Sequence, residues 1–256
     1  MTELILVSDF DGTLYRGDEP VRHYARLLAA RLDPGPAELF LSSFERFLAQ
    51  GPAAAAADSE DLVEAAALRE SIDGWEAAFQ LSRRVYGLGP ADIDQAFIAT
   101  RAHMVEADLA LEPVSALIDT LRGLRGAVRL VLATNSPLPG VDVLLRRLGA
   151  DGVFDEVVGS VGKPDGMRRL LAAELGAPAG RGRAAADPWR LLSIGDHWRN
   201  EIEPAVEIGA ATGYIDRFGR ADGAATATAR TAEQLLPALR SWADSPRRFS
   251  DPARPE

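Results

Sequence analysis

The feature that most constrains the fold is a short apolar run that ends in two closely spaced carboxylates. The run is Leu4–Val7, and the segment Asp9–Thr13 follows it after one serine. A run of this length and composition predicts a buried strand. Because side-chain direction alternates along a strand, Asp9 and Asp11 point to the same side, and Gly12 allows a sharp turn behind them. We therefore expect two acidic groups at the carboxyl end of a central strand, where open α/β sheets bind ligands.

The two carboxylates also predict chemistry. Adjacent carboxylates repel each other unless a cation or a proton lies between them. Oxygen ligands of this kind suit Mg²⁺, and a carboxylate held in such a site can also attack an electrophile. We expect Asp9 to be that nucleophile.

The rest of the chain divides into a helical part and an alternating part. Segments with helical periodicity, separated by Gly or Pro, fill residues 17–110, and no strand pattern occurs among them. From Pro113 onward, apolar runs alternate with amphipathic segments, which predicts a mainly parallel sheet with helices on both faces. We therefore expect an α/β fold with a Rossmann-like, doubly wound core of residues 1–16 and 111–244, and an all-helical insertion at residues 17–110. Residues 176–186 are expected to form an exposed loop and residues 245–256 a disordered tail.

Polar residues follow four buried segments of the expected core. These are Asp9 with Asp11, Thr134 with Asn135, the loop that holds Lys163, and Asp196. In a doubly wound sheet the carboxyl ends of the strands meet at one crevice. The pattern alone therefore predicts that these residues converge on a single site.

The composition excludes several classes of function. A formal net charge of −10 argues against a general nucleic-acid surface, which needs a basic face. The chain has no cysteine, which excludes disulfides and thiolate chemistry and fits a cytoplasmic location. No apolar run is long enough to span a membrane. No basic region precedes an apolar segment at the N-terminus, so no signal peptide is expected.

The acidic turn and three later segments resemble one known family, the haloacid dehalogenase-like hydrolases, most of which are Mg²⁺-dependent phosphatases. Asp9–Thr13 is similar to the first motif of the family at every position: Asp, any residue, Asp, Gly, Thr. Thr134 resembles the second motif, a Ser or Thr after a buried strand, and Val161–Asp165 resembles the Gly-Lys-Pro of the third. Gly195–Ile202 resembles the fourth, Gly-Asp followed by a second acid.

The resemblance implies a role for each matching residue. Asp9 would attack phosphorus to form an aspartyl-phosphate, and Asp11 would protonate the leaving oxygen and then deprotonate water. The phosphoryl group would be bound by the Thr134 hydroxyl, the Asn135 backbone N–H, Gly12 and the Lys163 ammonium. The ligands of Mg²⁺ would be the Asp9 carboxylate, the Asp11 backbone carbonyl and Asp196.

Glu201 departs from the usual family pattern. It stands where the family most often has Asp, and its extra methylene leaves two roles open: binding the metal through water, or orienting Lys163.

The helical insertion also has a counterpart in the family. Insertions after the first motif form a mobile cap in this family, so the resemblance implies that residues 17–110 are a cap that selects the substrate. Tyr15 and Arg16 lie at the junction and are expected either to face the substrate or to form a hinge.

The favoured function is a Mg²⁺-dependent phosphomonoesterase acting on a small soluble phosphate ester. A phosphotransferase or a sugar-phosphate mutase stays open, because either would use Asp9 and Asp11 in the same way. A 2-haloacid dehalogenase is disfavoured, because halide leaves without a proton and the dehalogenases of the family lack the second Asp. A non-catalytic binding protein is disfavoured because Lys163 and Asp196 are also intact. The expected partner is a small phosphorylated metabolite, without nucleic acid or membrane, and the expected state is a monomer or homodimer.

Overall fold

The computed structural model describes residues 3–106, 111–176 and 187–246. The chain divides into two compact units, one formed by Met1–Arg16 with Glu112–Glu256 and the other by Gly17–Leu111. Most of the loop expected at residues 176–186 and most of the tail expected at residues 245–256 lie outside the described residues.

The second unit is helical throughout its described part. Its α-helices are α1 (Glu19–Ala29), α2 (Pro34–Gln50), α3 (Pro52–Ala57), α4 (Leu62–Glu70), α5 (Gly74–Gln80) and α6 (Pro90–Glu106), with a π-helix at Leu81–Val85 after α5. The core of the unit includes Phe40, Phe44 and Phe47, which repeat at helical spacing on α2 and are fully buried.

Proline, glycine and alanine mark two further segments of this unit. Asp33–Pro36 contains two prolines and a glycine, which predicts a break between two helices; it separates α1 from α2, although α2 already begins within it, at Pro34. Proline fits the first turn of a helix because the N–H that it lacks has no intrahelical partner there. The alanine run after Gly51 is compatible in sequence with a linker or a weak helix, and the structure shows the helix, α3.

The first unit is built on a six-stranded parallel sheet with strand order β5-β4-β1-β6-β7-β8. Its strands are β1 (Leu4–Ser8), β4 (Val128–Ala133), β5 (Glu156–Val158), β6 (Leu191–Gly195), β7 (Ala211–Ile215) and β8 (Ala227–Ala229). Two further strands, β2 (Tyr15–Arg16) and β3 (Glu112–Pro113), pair as a short antiparallel ribbon. β1 lies between β4 and β6, so Ser8 is in register with Leu132 on one side and Ile194 on the other.

Helices cover the sheet and bury its apolar strands. They are α7 (Ser115–Leu124), α8 (Val141–Arg147), α9 (Asp165–Glu174), α10 (Glu203–Glu207) and α11 (Ala232–Asp244), with a 3₁₀ turn at Pro188–Arg190 and a π-helix at Trp198–Ile202. Ile5 and Val7 of β1 pack in one cluster with Met167 and Leu171 of α9. Leu6 points the other way and is also fully buried. The expected α/β fold with a Rossmann-like parallel sheet is therefore confirmed.

The sheet has one more strand than the sequence predicts. The sequence pattern indicates Thr212–Ile215 as the last strand along the chain, but β8 follows it and pairs with β7. β8 has three residues, all outside the buried class, so it carries no apolar run that sequence patterning could detect.

Candidate active site

Asp9 lies directly after β1 and is the centre of the site. Its backbone N–H donates to the Ile194 carbonyl at 3.0 Å, which extends the pairing with β6 by one residue. The side chain is buried, and its Oδ2 accepts a 3.4 Å hydrogen bond from the Thr13 hydroxyl. The backbone N–H groups of Thr13 and Leu14 both donate to the Phe10 carbonyl, which forms the turn that holds Thr13 beside Asp9.

Lys163 reaches Asp9 from the loop between β5 and α9. Its Nζ lies 2.6 Å from Oδ1 of Asp9 and 2.9 Å from Oε1 of Glu201, and the side chain is 2% exposed. Burial by itself disfavours the ammonium, but the two carboxylates outweigh that effect and raise the pKa of Lys163. Lys163 is therefore a fixed positive charge, and its backbone N–H is also held, by Oδ1 of Asn135 at 2.9 Å.

Glu201 is buried in the π-helix that follows β6, and both of its carboxylate oxygens have partners. Oε1 accepts from Lys163, and Oε2 accepts from the backbone N–H of His197 at 2.9 Å. Burial raises the pKa of Glu201 to about 7; Lys163 opposes this shift and Asp9 reinforces it. Of the two roles left open by the sequence, these contacts support orienting Lys163, and metal binding by Glu201 stays a prediction.

Glycine at position 195 makes this arrangement possible. A Cβ there would lie 2.5 Å from Cγ of Glu201, closer than side-chain atoms pack. The Glu201 side chain fills the space that a side chain at position 195 would need. His197, adjacent to this contact, precedes the π-helix, a position where a polar side chain commonly caps a helix, but its side chain makes no capping hydrogen bond there.

Asp11 is held by two hydroxyl groups, one on each oxygen. Tyr15 donates to Oδ1 at 2.5 Å, and Ser136, in the loop after β4, donates to Oδ2 at 3.4 Å. The sequence alone does not predict that Tyr15 and Ser136 contact Asp11. The only sequence signal for Ser136 is its place three residues after the end of a buried strand.

Asp196, at the end of β6, packs directly on the acidic turn. Gly12 has φ +77°, and a Cβ on it would overlap the Asp196 carboxylate. The structure therefore brings Asp196 against the segment that holds Asp9 and Asp11. The phosphate-binding role expected of Gly12 stays a prediction, and its backbone conformation adds a second requirement for glycine.

Thr134 and Asn135 lie at the end of β4, as the sequence predicts. Thr134 is buried, and its hydroxyl oxygen accepts from the Ser136 backbone N–H at 3.1 Å. The Asn135 side chain is exposed to solvent and binds the Lys163 backbone. These contacts link the second strand loop to the Lys163 loop.

The electrostatics of the site favour a bound cation. Burial raises the pKa of Asp9, which Lys163 opposes and the neighbouring Asp11 reinforces. In the described part of the chain, no three His, Cys, Asp or Glu side chains meet where they could hold a metal ion. The expected ligand set needs only two carboxylates, since its third member is a backbone carbonyl. Carboxylate and carbonyl oxygens are hard donors of the kind that Mg²⁺ prefers, so the residues present fit this ion.

A protein-family model matches most of this chain. Residues 5–209 match the model of the haloacid dehalogenase-like hydrolases, a span that includes every candidate site residue. The chain belongs to this hydrolase family. The match confirms the resemblance inferred from the four motifs and shows that the protein is a family hydrolase.

Solved structures of haloacid dehalogenase-like proteins share the fold. A family hydrolase from Bacillus subtilis, bound to magnesium, is 18% identical, with a TM-score of 0.56 over 93% of this chain and 100% of that one. CbbY from Rhodobacter sphaeroides, in complex with phosphate, is 22% identical, with a TM-score of 0.55 over 91% and 96%. An L-2-haloacid dehalogenase from Xanthobacter autotrophicus is 16% identical, with a TM-score of 0.51 over 93% and 99%.

These structural similarities establish the fold of the hydrolase and leave its substrate open, because they include both phosphate-bound and dehalogenase structures. Among curated proteins, no sequence match was found. Across residues 3–106, 111–176 and 187–246, no helix is long and apolar enough to cross a membrane.

Proposed function

We propose that this hydrolase is a Mg²⁺-dependent phosphomonoesterase that acts on a small soluble phosphate ester through an aspartyl-phosphate on Asp9. The observation that carries the proposal is the second carboxylate, Asp11, held by hydrogen bonds on both oxygens. An alkoxide leaving group needs a proton donor, whereas a halide does not. A site with a fixed acid–base group beside its nucleophile is therefore suited to phosphate esters.

The proposed first half-reaction uses Asp9 and Asp11. A carboxylate oxygen of Asp9 attacks phosphorus, forming one O–P bond while the bond to the alcohol oxygen breaks. Asp11 supplies the proton that makes the alcohol a neutral leaving group. Lys163, 2.6 Å from Asp9, keeps the nucleophile in one orientation and offsets the negative charge of the incoming phosphoryl group.

The second half-reaction reverses the use of Asp11. Now ionised, Asp11 takes a proton from water as the water oxygen attacks phosphorus. The bond between phosphorus and Asp9 breaks, which releases inorganic phosphate and restores the Asp9 carboxylate and the protonated Asp11. The hydroxyl of Thr134 and the backbone N–H of Asn135 are the proposed donors to the phosphoryl oxygens, together with the backbone at Gly12.

Mg²⁺ is the cofactor that this donor set would bind. Its proposed ligands are the Asp9 carboxylate, the Asp196 carboxylate and the Asp11 backbone carbonyl. The ion would supply positive charge that neutralises the phosphoryl oxygens and favours the ionised form of Asp9. The magnesium-bound and phosphate-bound relatives support this assignment, and the cysteine-free composition supports a cytoplasmic location.

Phosphate release from a panel of small phosphate esters tests the proposal, with Mg²⁺ and with EDTA, for the wild type beside Asp9→Asn. We expect Mg²⁺-dependent release that Asp9→Asn abolishes without unfolding the protein. Asp119→Asn, an exposed acid on α7, serves as the control and should keep full activity.

Three outcomes would contradict the proposal. Full turnover by Asp9→Asn would exclude Asp9 as the nucleophile. Halide release from 2-haloacids without phosphate release would make the protein a dehalogenase. Transfer of the phosphoryl group to an added sugar, in place of water, would make it a phosphotransferase or a mutase.

A further inference from the structure

We infer that Tyr15 is a positioning residue for the acid–base group Asp11, and that its hydroxyl holds this carboxylate in the orientation that proton transfer needs. The inference rests on the proposed phosphoesterase function. It replaces both roles that the sequence allowed for Tyr15, a substrate contact or a hinge.

The Tyr15 ring is held by packing. The residue is 2% exposed, and its ring meets Phe10 edge to face, with centroids 5.5 Å apart and planes at 64°. Phe10 lies between Asp9 and Asp11 and is fully buried, so it cannot move without disturbing the nucleophile segment. The phenol oxygen is therefore fixed relative to both acids.

The backbone of Tyr15 is held as firmly as its ring. Tyr15 pairs with Pro113 in the β2–β3 ribbon, and the Val114 N–H donates to the Leu14 carbonyl at 2.9 Å. Beside it, Arg16 forms ion pairs with Glu112 at 2.7 Å and with Glu233 of α11 at 2.8 Å. The ribbon thus ties the segment that carries the phenol to the start of α7 and to α11.

Asp11 is only partly buried, so its orientation depends on hydrogen bonds more than on packing. The Tyr15 and Ser136 hydroxyls contact different oxygens of the carboxylate, which fixes its plane as well as its position. Without the phenol, the carboxylate can rotate about its side-chain bonds and leave the line between phosphorus and the leaving oxygen. A general acid must lie within hydrogen-bond reach of the atom that it protonates, so such rotation reduces its contribution.

This role predicts a loss that depends on the leaving group. An alkyl phosphate needs the proton from Asp11, whereas p-nitrophenolate leaves well without one. The value of kcat/KM reports the step that expels the leaving group, and hydrolysis of the aspartyl-phosphate is common to both substrates. A purely structural role for Tyr15 would lower activity on both esters equally.

The experiment compares kcat/KM on ethyl phosphate and p-nitrophenyl phosphate for the full-length wild type, Tyr15→Phe and Asp11→Asn. General acid–base catalysis contributes about 10²–10⁴-fold, so misplacing the acid should cost Tyr15→Phe about tenfold or more on ethyl phosphate. On p-nitrophenyl phosphate the loss should stay within about threefold. Ser136→Ala, which removes the other donor, should discriminate in the same direction, and it tests the same carboxylate if Tyr15→Phe fails to fold.

Tyr214→Phe is the matched control. Its hydroxyl also donates to a carboxylate, Asp222, at 2.8 Å, and its ring is also buried. This variant loses a comparable hydrogen bond away from Asp11 and should show no dependence on the leaving group.

Equal losses on the two esters for Tyr15→Phe would overturn the inference if Asp11→Asn still discriminates between them, and if Tyr15→Phe fails to fold, equal losses for Ser136→Ala would do so. If Asp11→Asn itself shows no discrimination, the error lies in the acid–base role of the proposed function. The two failures are thus distinguishable.

Discussion

Gly12→Ala tests whether Asp196 belongs to the same site as the acidic turn. Gly12 has φ +77°, and a methyl group on it would overlap the carboxylate of Asp196. The substitution therefore has two separable effects: strain in the backbone at position 12, and displacement of a proposed metal ligand.

The structure sets the expected size of each effect. An alanine in the left-handed region costs roughly 1–2 kcal/mol in the free energy of unfolding. The overlapping atoms belong to the Asp196 side chain, and its forced rotation should add about 0.5–1.5 kcal/mol. Rotation moves Asp196 from its place beside Asp9, and disturbed ligand placement typically weakens metal binding about 10–100-fold.

Gly126→Ala is the matched control because it separates strain from overlap. Gly126 has φ +83°, and a Cβ there would meet no heavy atom within 4 Å. Urea unfolding should show similar losses of stability for both variants, whereas calorimetric titration with Mg²⁺ should show weakened binding for Gly12→Ala alone. Wild-type Mg²⁺ affinity in a folded Gly12→Ala protein would refute the assignment of Asp196 as a ligand.

Two further predictions concern Glu201 and His23. Glu201→Gln offers one acceptor in place of two, so either Lys163 or the His197 N–H loses its partner at a cost of about 1–3 kcal/mol. We expect kcat/KM to fall by about 5–100-fold at an unchanged Mg²⁺ requirement. Glu203→Gln, at a half-buried acid on α10, serves as the control; a raised requirement would instead make Glu201 a metal ligand. Burial lowers the pKa of His23, and the neighbouring His103 and Arg26 lower it further. As pH drops, His23 therefore binds a proton in the unfolded chain before it does so in the folded protein. The free energy of unfolding should consequently fall as pH drops below about 6.5. Thermal unfolding between pH 7.5 and 5.5 should show a smaller decrease for His23→Gln, and an identical decrease would contradict the argument.

The sequence was sufficient for the parts of the fold that carry strong apolar patterns. β1, β4 and β6 are buried runs of five or six residues, and each lies where its hydrophobic pattern predicts it. The sequence did not reveal β2, β3 or β8, which have two or three residues each. Such short strands form because a partner strand is already in place, and that partner lies far along the chain or beyond a loop.

The same distinction holds within the candidate site. Motif spacing predicts Asp9, Asp11, Lys163 and Asp196 as site residues because their chemistry is readable from residue type and position. It did not assign the contact between Tyr15 and Asp11, because that depends on how the turn at Gly12 and the β2–β3 ribbon return the chain. Residue type names the reacting groups, whereas the hydrogen bonds that orient them follow from the tertiary structure.

The balance of charge explains why the site needs more than its lysine. Lys163 is a single positive charge between two buried carboxylates, Asp9 and Glu201, and Asp196 adds further negative charge beside the turn. A phosphate dianion approaching these residues alone would meet net repulsion. Lys163 and the His197 N–H bind the two oxygens of Glu201, and the proposed ligands of a divalent cation are the Asp9 and Asp196 carboxylates with the Asp11 carbonyl. A cation bound there reverses the local potential where the phosphoryl group must bind, so the proposed Mg²⁺ requirement follows from the charge of the site as well as from family membership.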